Sequence, residues 1–299
     1  MSNEHTHSHN LKNYNKAFGF GIALNIIYII VEVTYGLIIN STALLADAGH
    51  NFSDVLGLIL AWGGAYLAQT AVTKSRTYGL RKSTILAALF NAVLLLIVVG
   101  AITIEAIRKI IEPEPVGGTT MIIVAGIGVV VNTLTALLFL KGREKDLNIK
   151  GAFLHMAADA GVSLGVVLAG LMINITSMYI FDPIISIVIV VVITIGTWSL
   201  LKDSLHLSMD AVPRSIDFEK IQSYLSSLEG VKEVHDLHIW AMSTTENALT
   251  AHLVMPEGEL KDKFLGKVCR TLHDQFGIEH STIQIESSAH SASCEINNV

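Results

Sequence analysis

The sequence predicts an α-helical membrane protein with six transmembrane helices, followed by a small α+β domain of αββαβ order, ferredoxin- or metallochaperone-like in type. Three observations predict it. Hydrophobic residues make up 51% of the chain and charged residues 15%, and the mean hydropathy is +0.54, far more apolar than a soluble domain of this length. Six apolar segments each approach the roughly 20 residues that a helix needs to cross a bilayer. Charge is divided unevenly: residues 1–202 hold 13 Lys and Arg against 11 Asp and Glu, whereas residues 203–299 hold 7 against 15, a net +2 and a net −8.

The spans are expected at 17–39, 44–69, 84–107, 118–141, 151–174 and 178–201. Bilayer hydrocarbon offers backbone groups no partner, so each must be a helix. An even count puts both termini on one side. Lys12, Lys16, Lys74, Arg76, Arg81, Lys82, Lys141, Arg143, Lys145 and Lys150 fall on that side. The opposite connections 40–43 and 175–177 carry no cation, and Arg108 and Lys109 stand beside Glu112 and Glu114. Cytoplasmic loops accumulate Lys and Arg, so both termini are expected in the cytoplasm. The polar N-terminus lacks the features of a cleaved signal peptide, so the first span is expected to be retained. Gly57, Gly63, Gly64, Gly161, Gly165 and Gly170 lie in the second and fifth spans, where small residues are expected to let these helices approach.

Pro213 marks a different pattern. Residues 216–228 and 259–276 read as helices, and 231–241, 247–255 and 280–286 as strands. The domain organisation expected is a flexible His-containing N-terminus (1–16), a six-helix membrane domain (17–202), a cytoplasmic αββαβ domain (213–288) and a flexible tail (289–299).

Composition also excludes. An acidic tail argues against nucleic acid as a partner, because phosphate binding needs clustered cations. Cys269 and Cys294, without CxxC spacing, imply no disulfide framework. No GxxxxGK[ST] pattern is present, so ATP-driven transport is unsupported and no cofactor is expected.

Within the second and fifth spans a pattern repeats: His50 with Asp54, and His155 with Asp159. Residues four apart share one helix face, so each pair can direct an imidazole nitrogen and a carboxylate oxygen to one point. Two nitrogens and two oxygens in a tetrahedron suit Zn²⁺, with Cd²⁺ and Co²⁺ plausible and Mn²⁺ disfavoured. Intramembrane carboxylates are costly by about 2.5–3.5 kcal/mol each, which marks them as functional. Asp47 and Asn51 are placed to hold a ligand in orientation, and capping of the span is the alternative for Asp47. Glu32, Asn25, Asn91 and Asn132 are expected to hydrogen-bond between helices. Glu105 is expected to reach water, and Asp182 before Pro183 to cap its own helix.

These motifs resemble the cation diffusion facilitator family, most closely its bacterial zinc-transporting HxxxD/HxxxD members. The resemblance rests on Asn40-Ser41, then Ala43 through Asn51, then Thr77-Tyr78-Gly79, Ile85 through Asn91, Asp182-Pro183 and Val234 through Ala241, and it runs over most of the chain. It implies six transmembrane helices, a cytoplasmic αββαβ domain, a homodimer in the cell inner membrane, and antiport of cytosolic Zn²⁺ against H⁺. It implies that His50, Asp54, His155 and Asp159 form the transport site. It also offers His235, His238, His252 and Glu286 as candidates for a regulatory Zn²⁺ site, although strict strand alternation puts His238 opposite His235.

The chain departs from its relatives in three places. The 74–82 loop holds no Asp or His, so no metal site is expected there. Thr84 stands where many members have glutamate, so a polar interaction is expected to be missing. The connection between the fourth and fifth spans has no histidine-rich insert. Asp210 is expected to pair with Arg81 or Lys82 as a charge interlock. His5, His7, His9, His290 and Cys294 are weak metal candidates in flexible segments.

Two further classes remain open in the sequence. A metal-gated channel or sensor would use the tail to bind Zn²⁺ without stoichiometric exchange. An intramembrane metalloenzyme would need an open coordination position and a general base, and neither half-site has the HExxH glutamate.

Overall fold

The computed structural model describes residues 11–140, 147–256 and 262–287. The candidates His5, His7, His9, His290 and Cys294 lie outside the described residues, as do most of the two segments expected to be flexible. Six long helices come first: α1 (Leu11–Ile38), α2 (Thr42–Ala68), α3 (Ser83–Ile111), α4 (Gly118–Phe139), α5 (Leu147–Thr176) and α6 (Phe181–Ser208). After them come α7 (Phe218–Ser226), β1 (Glu233–Ala241), β2 (Asn247–Val254), α8 (Asp262–Phe276) and β3 (His280–Glu286). The chain is a multi-pass membrane protein whose helices are followed in sequence by a small α+β domain.

Among the described residues, stretches of α3, α4, α5 and α6 are long and apolar enough to cross a membrane, and α1 contributes a shorter apolar stretch, Ala23–Ile38. The second expected span, α2, falls short of that measure. It carries Asp47, His50, Asn51 and Asp54 within two turns, and these polar groups lower its hydropathy.

The chain forms two compact units. One comprises residues up to Ile59 together with Asn91–Ser199. Its apolar core joins Ala43, Leu44 and Ala46 of α2 to Leu95 and Val99 of α3, Met121 and Val124 of α4, Val166 and Ile173 of α5, and Ile189 and Ile193 of α6. α5 packs most extensively against α4. Here glycine is required: a Cβ on Gly118 would lie 2.4 Å from Asn174 Oδ1 and 2.9 Å from the Gly170 carbonyl. Close approach of the second and fifth spans through glycine is not what the structure uses. Gly63 and Gly161 have open space beside them, Gly57 faces Asn91 of α3, Gly165 faces Ile185 of α6, and Gly170 faces α4.

Asp182 caps a neighbouring helix rather than its own. Its two carboxylate oxygens accept from Ser41 Oγ (2.5 Å), Thr42 N (2.8 Å), Thr42 Oγ1 (2.6 Å) and Ala43 N (3.1 Å), which satisfies the orphan donors at the start of α2. Ser41 Oγ in turn accepts from Leu44 N, as an N-cap does. Beside it, the buried Lys109 donates to the carbonyl and side-chain oxygens of Asn40, a residue at φ 56 that turns the chain between α1 and α2.

The second unit comprises Leu60–Phe90 and Leu200 onward. Its sheet has the order β1-β2-β3, with β1 and β2 antiparallel and β2 and β3 parallel across α8. Ile221 and Leu225 of α7 and Val268 and Leu272 of α8 bury one sheet face through Ile239, Leu249, Ala251 and Leu253. By the two-residue period of strands, His252 and Thr250 point away from that helical layer. The loop between α2 and α3 turns at Gly79 (φ 71) and meets the tail through three polar contacts. Lys82 Nζ lies 2.6 Å from Asp210 Oδ1 and Arg81 Nη1 lies 2.9 Å from Glu246 Oε2. Thr84 Oγ1 accepts from Thr244 N at 3.0 Å. Thr84 therefore makes a polar interaction after all, to the β1–β2 connection.

Candidate metal centre

His50 and Asp54 lie two and three turns into α2, and His155 and Asp159 lie on α5. Their side chains interleave across the gap between the helices. His50 Nε2 is 3.2 Å from Asp159 Oδ1 and 3.8 Å from Asp54 Oδ2. His155 Nε2 is 3.2 Å from Asp54 Oδ2 and 3.8 Å from Asp159 Oδ2. The two imidazole rings stand edge to face with centroids 6.1 Å apart. Donor atoms of His50, Asp54 and Asp159 fall within 4.8 Å of one another, and His155 joins them through Asp54. Ligands at 2.0–2.2 Å from a tetrahedral ion are separated by about 3.4 Å, and the four nitrogen–oxygen distances bracket that value. Among the described residues, Asp54 Oδ2 is shielded from solvent and receives no well-formed hydrogen bond, so it keeps acceptor capacity beside His155 Nε2.

Asp47 and Asn51 sit on either side of His50, but among the described residues neither hydrogen-bonds any of the four. Asp47 accepts from Ser163 Oγ of α5 at 2.7 Å, and Asn51 Nδ2 donates to Glu32 Oε2 of α1 at 3.1 Å and to Asp47 Oδ1 at 3.4 Å. Tyr28 completes this group by donating to Glu32 Oε1 at 2.6 Å. They fix α2 against α1 and α5, and so fix the helices that carry the two HxxxD pairs. Tyr28 was not legible in the sequence, because an aromatic residue in an apolar run carries no polar periodicity. Gly128 of α4 makes room for it, since a Cβ there would lie 2.0 Å from the phenol oxygen. Glu32 does hydrogen-bond between helices, whereas both polar atoms of Asn132, and the Oδ1 atoms of Asn25 and Asn91, are buried without hydrogen-bond partners among the described residues. Glu105 pairs with Arg108 at 3.0 Å on the surface.

A second group gathers in the tail. His235 and His252 face each other in the β1–β2 register with ring centroids 5.2 Å apart. Glu286 of β3 closes the group: its Oε2 is 3.2 Å from His235 Nε2 and its Oε1 is 2.9 Å from His252 Nδ1. Strict alternation would have put His238 on the opposite face, and the structure corrects this. The register shifts between His235 and His238, where Asp236 adopts φ 51, and His238 consequently pairs with Thr250 on the face that carries His252. His238 nevertheless stays apart from the other three, with its Nε2 2.8 Å from Asp236 Oδ1. Asp236 is the residue that sequence reasoning missed: its other oxygen lies 3.5 Å from His252 Nε2. The aspartate within Val234 through Ala241 was in plain view, but only the bulge turns it toward the histidines. Its carboxyl is held below the usual carboxylate range by the hydrogen bond with His238, with further help from the charges of His238, His252 and His235.

Residues 20–207 match the family described as cation efflux transmembrane domain, and residues 213–288 that described as cation efflux protein, cytoplasmic domain. The chain belongs to the cation diffusion facilitator family. This facilitator is 34% identical over 291 residues to the cadmium, cobalt and zinc/H(+)-K(+) antiporter of Bacillus velezensis, covering 96% of this chain and 93% of that one. It is 34% identical to the metal cation efflux system protein CzcD of Cupriavidus metallidurans, over 96% and 90% of the two chains. With the zinc transporter ZitB of Escherichia coli the identity is 33%, over 99% and 96%. Among solved structures, the metal-bound C-terminal domain of the CzcD transporter is 35% identical, covers 24% of this chain and 99% of that domain, and gives a TM-score of 0.21. The facilitator is a transporter, not an enzyme.

Proposed function

We propose that this facilitator exports Zn²⁺ from the cytoplasm in exchange for protons by alternating access. His50, Asp54, His155 and Asp159 hold the ion, and Cd²⁺ and Co²⁺ are further substrates. The observation that carries the proposal is the interleaving of the two HxxxD pairs, which turns two nitrogens and two oxygens on separate helices toward one position. The names of the B. velezensis and E. coli relatives support zinc as cargo and proton exchange as the driving reaction. The protein works as a homodimer in the cell inner membrane with both termini in the cytoplasm, which the distribution of loop cations supports.

Coupling follows from chemistry shared by the two ions. Neutral imidazole binds metal and imidazolium does not, so Zn²⁺ and H⁺ compete for His50 and His155. Exchange of one Zn²⁺ for one H⁺ moves a net positive charge outward, against about 2.3 kcal/mol per 100 mV of negative-inside potential. Exchange for two protons removes that opposition.

Reconstitution in liposomes tests the proposal. An imposed pH gradient is expected to drive Zn²⁺ movement, with proton flux in fixed proportion, and H50A and D159A to abolish both. Zinc movement at wild-type rates in these variants, or zinc flux without proton flux, would overturn it.

The tail group favours one addition, a regulatory Zn²⁺ held by His235, His252 and Glu286. Two imidazole nitrogens and a carboxylate oxygen suit Zn²⁺. Bound there, the metal would neutralise a buried carboxylate and tie β1, β2 and β3 together.

A further inference from the structure

The connection between α2 and α3 carries Lys74, Arg76, Arg81 and Lys82 and no acidic residue between Gln69 and Ser83. In the second unit it encloses, with the end of β1, a cavity of about 420 Å³ lined by Arg76, Tyr78, Lys82, Ser83, Leu86 and Trp240, among others. Two of the four cations are matched, Arg81 by Glu246 and Lys82 by Asp210. Lys74 and Arg76 meet no carboxylate among the described residues. Arg76 lines the cavity and Lys74 lies two residues before it, beside the lining residue Ser75, so one side of the cavity is positive.

Its other side is apolar. Leu80, Leu86, Trp240 and Met242 line it, and Tyr78 stands edge to face with His280 at 5.5 Å. Leu86 opens onto α3, where Leu86 and Phe90, one turn apart, are both 56% exposed on a helix apolar enough to cross a membrane. A free oxyanion gains nothing from such a wall. A molecule with an anionic head and a hydrocarbon tail satisfies both sides at once, and Trp and Tyr are the residues that favour the boundary between them.

We propose that this cavity binds the phosphate headgroup of an anionic phospholipid, with Arg76 as its principal cation and the acyl chain laid along Leu86 and Phe90. Lys74 and the Thr77 hydroxyl are the supporting donors. Basic pockets at the cytoplasmic ends of spanning helices take phospholipid headgroups by this chemistry.

Native mass spectrometry of the purified full chain, given equal amounts of phosphatidylglycerol and phosphatidylcholine, tests it. The wild type is expected to retain phosphatidylglycerol preferentially. R76Q is expected to weaken retention about fivefold, R76K to keep it, and excess inorganic phosphate to leave the bound lipid in place. Equal retention of the two lipids, or undiminished preference in an R76Q/K74Q double variant, would refute the site. Displacement by inorganic phosphate would overturn the lipid in favour of a free oxyanion.

Discussion

Asp182 on α6 and Thr42 on α2 are joined twice, for Asp182 Oδ2 accepts both the backbone N–H of Thr42 at 2.8 Å and its hydroxyl at 2.6 Å. This tie and those to Ser41 and Ala43 set where α2 begins, and His50 and Asp54 follow at fixed heights along it.

Removing the tie should therefore cost both stability and transport. D182A leaves buried donors on residues 41–43 unsatisfied, each costing about 1–3 kcal/mol. Thermal unfolding in detergent is expected to shift down markedly, and zinc flux to fall although no ligand is changed. Unaltered melting and flux would show that α2 does not depend on this cap.

Loss of single ligands should separate the two helices' contributions. H155A leaves His50, Asp54 and Asp159, whose donor atoms already lie within 4.8 Å of one another. In an H252A background, which removes the tail group, residual zinc binding by calorimetry is expected in H155A and none in D159A, whose carboxylate faces both histidines. Transport should fail in both, because three ligands do not close the site.

In the tail, adding Zn²⁺ to the full protein should protect β1, β2 and β3 amides from hydrogen exchange. H252A and E286Q are expected to abolish the protection, and H238A to leave it, because His238 pairs with Asp236 instead. Equal protection in wild type and H252A would remove His252 from the site.

Asp236 has a lowered carboxyl pKa, chiefly through its bond with His238. A folded-state value below the unfolded value of about 3.9 adds stability above that pH, and the addition is lost as pH falls through the lowered value. The side chain is about half exposed, so solvent screening keeps the gain within about 0–1 kcal/mol. Protection factors of β1 amides, exchange rates taken relative to the unfolded chain at the same pH, are expected to fall as pH falls below about 4, and D236N to flatten that fall.

The interlock offers a contrast in scale. Lys82 and Asp210 are each close to half exposed, so a double-mutant cycle on unfolding should return a coupling of about 1 kcal/mol or less. A charge-reversing K82E is expected to be rescued by D210K in transport assays if the pair acts through its charges.

Much was determined by local pattern. Apolar length placed the helices, the turn to alternation after Pro213 placed the αββαβ domain, and four-residue spacing put each His with its Asp, because these periods are properties of a single element. The resemblance to the family was legible for the same reason. What tertiary structure decided lies between elements. Asp182 caps α2 because α6 brings it there, and no local rule connects residues 140 positions apart. A one-residue bulge at Asp236 moved His238 to the face of His252, since side chains alternate and a single insertion inverts everything after it. The side chains of His50, Asp54, His155 and Asp159 come together on helices that Glu32, Asp47, Asn51 and Ser163 hydrogen-bond to one another beside them, in a medium where unmatched polar groups have no water to turn to.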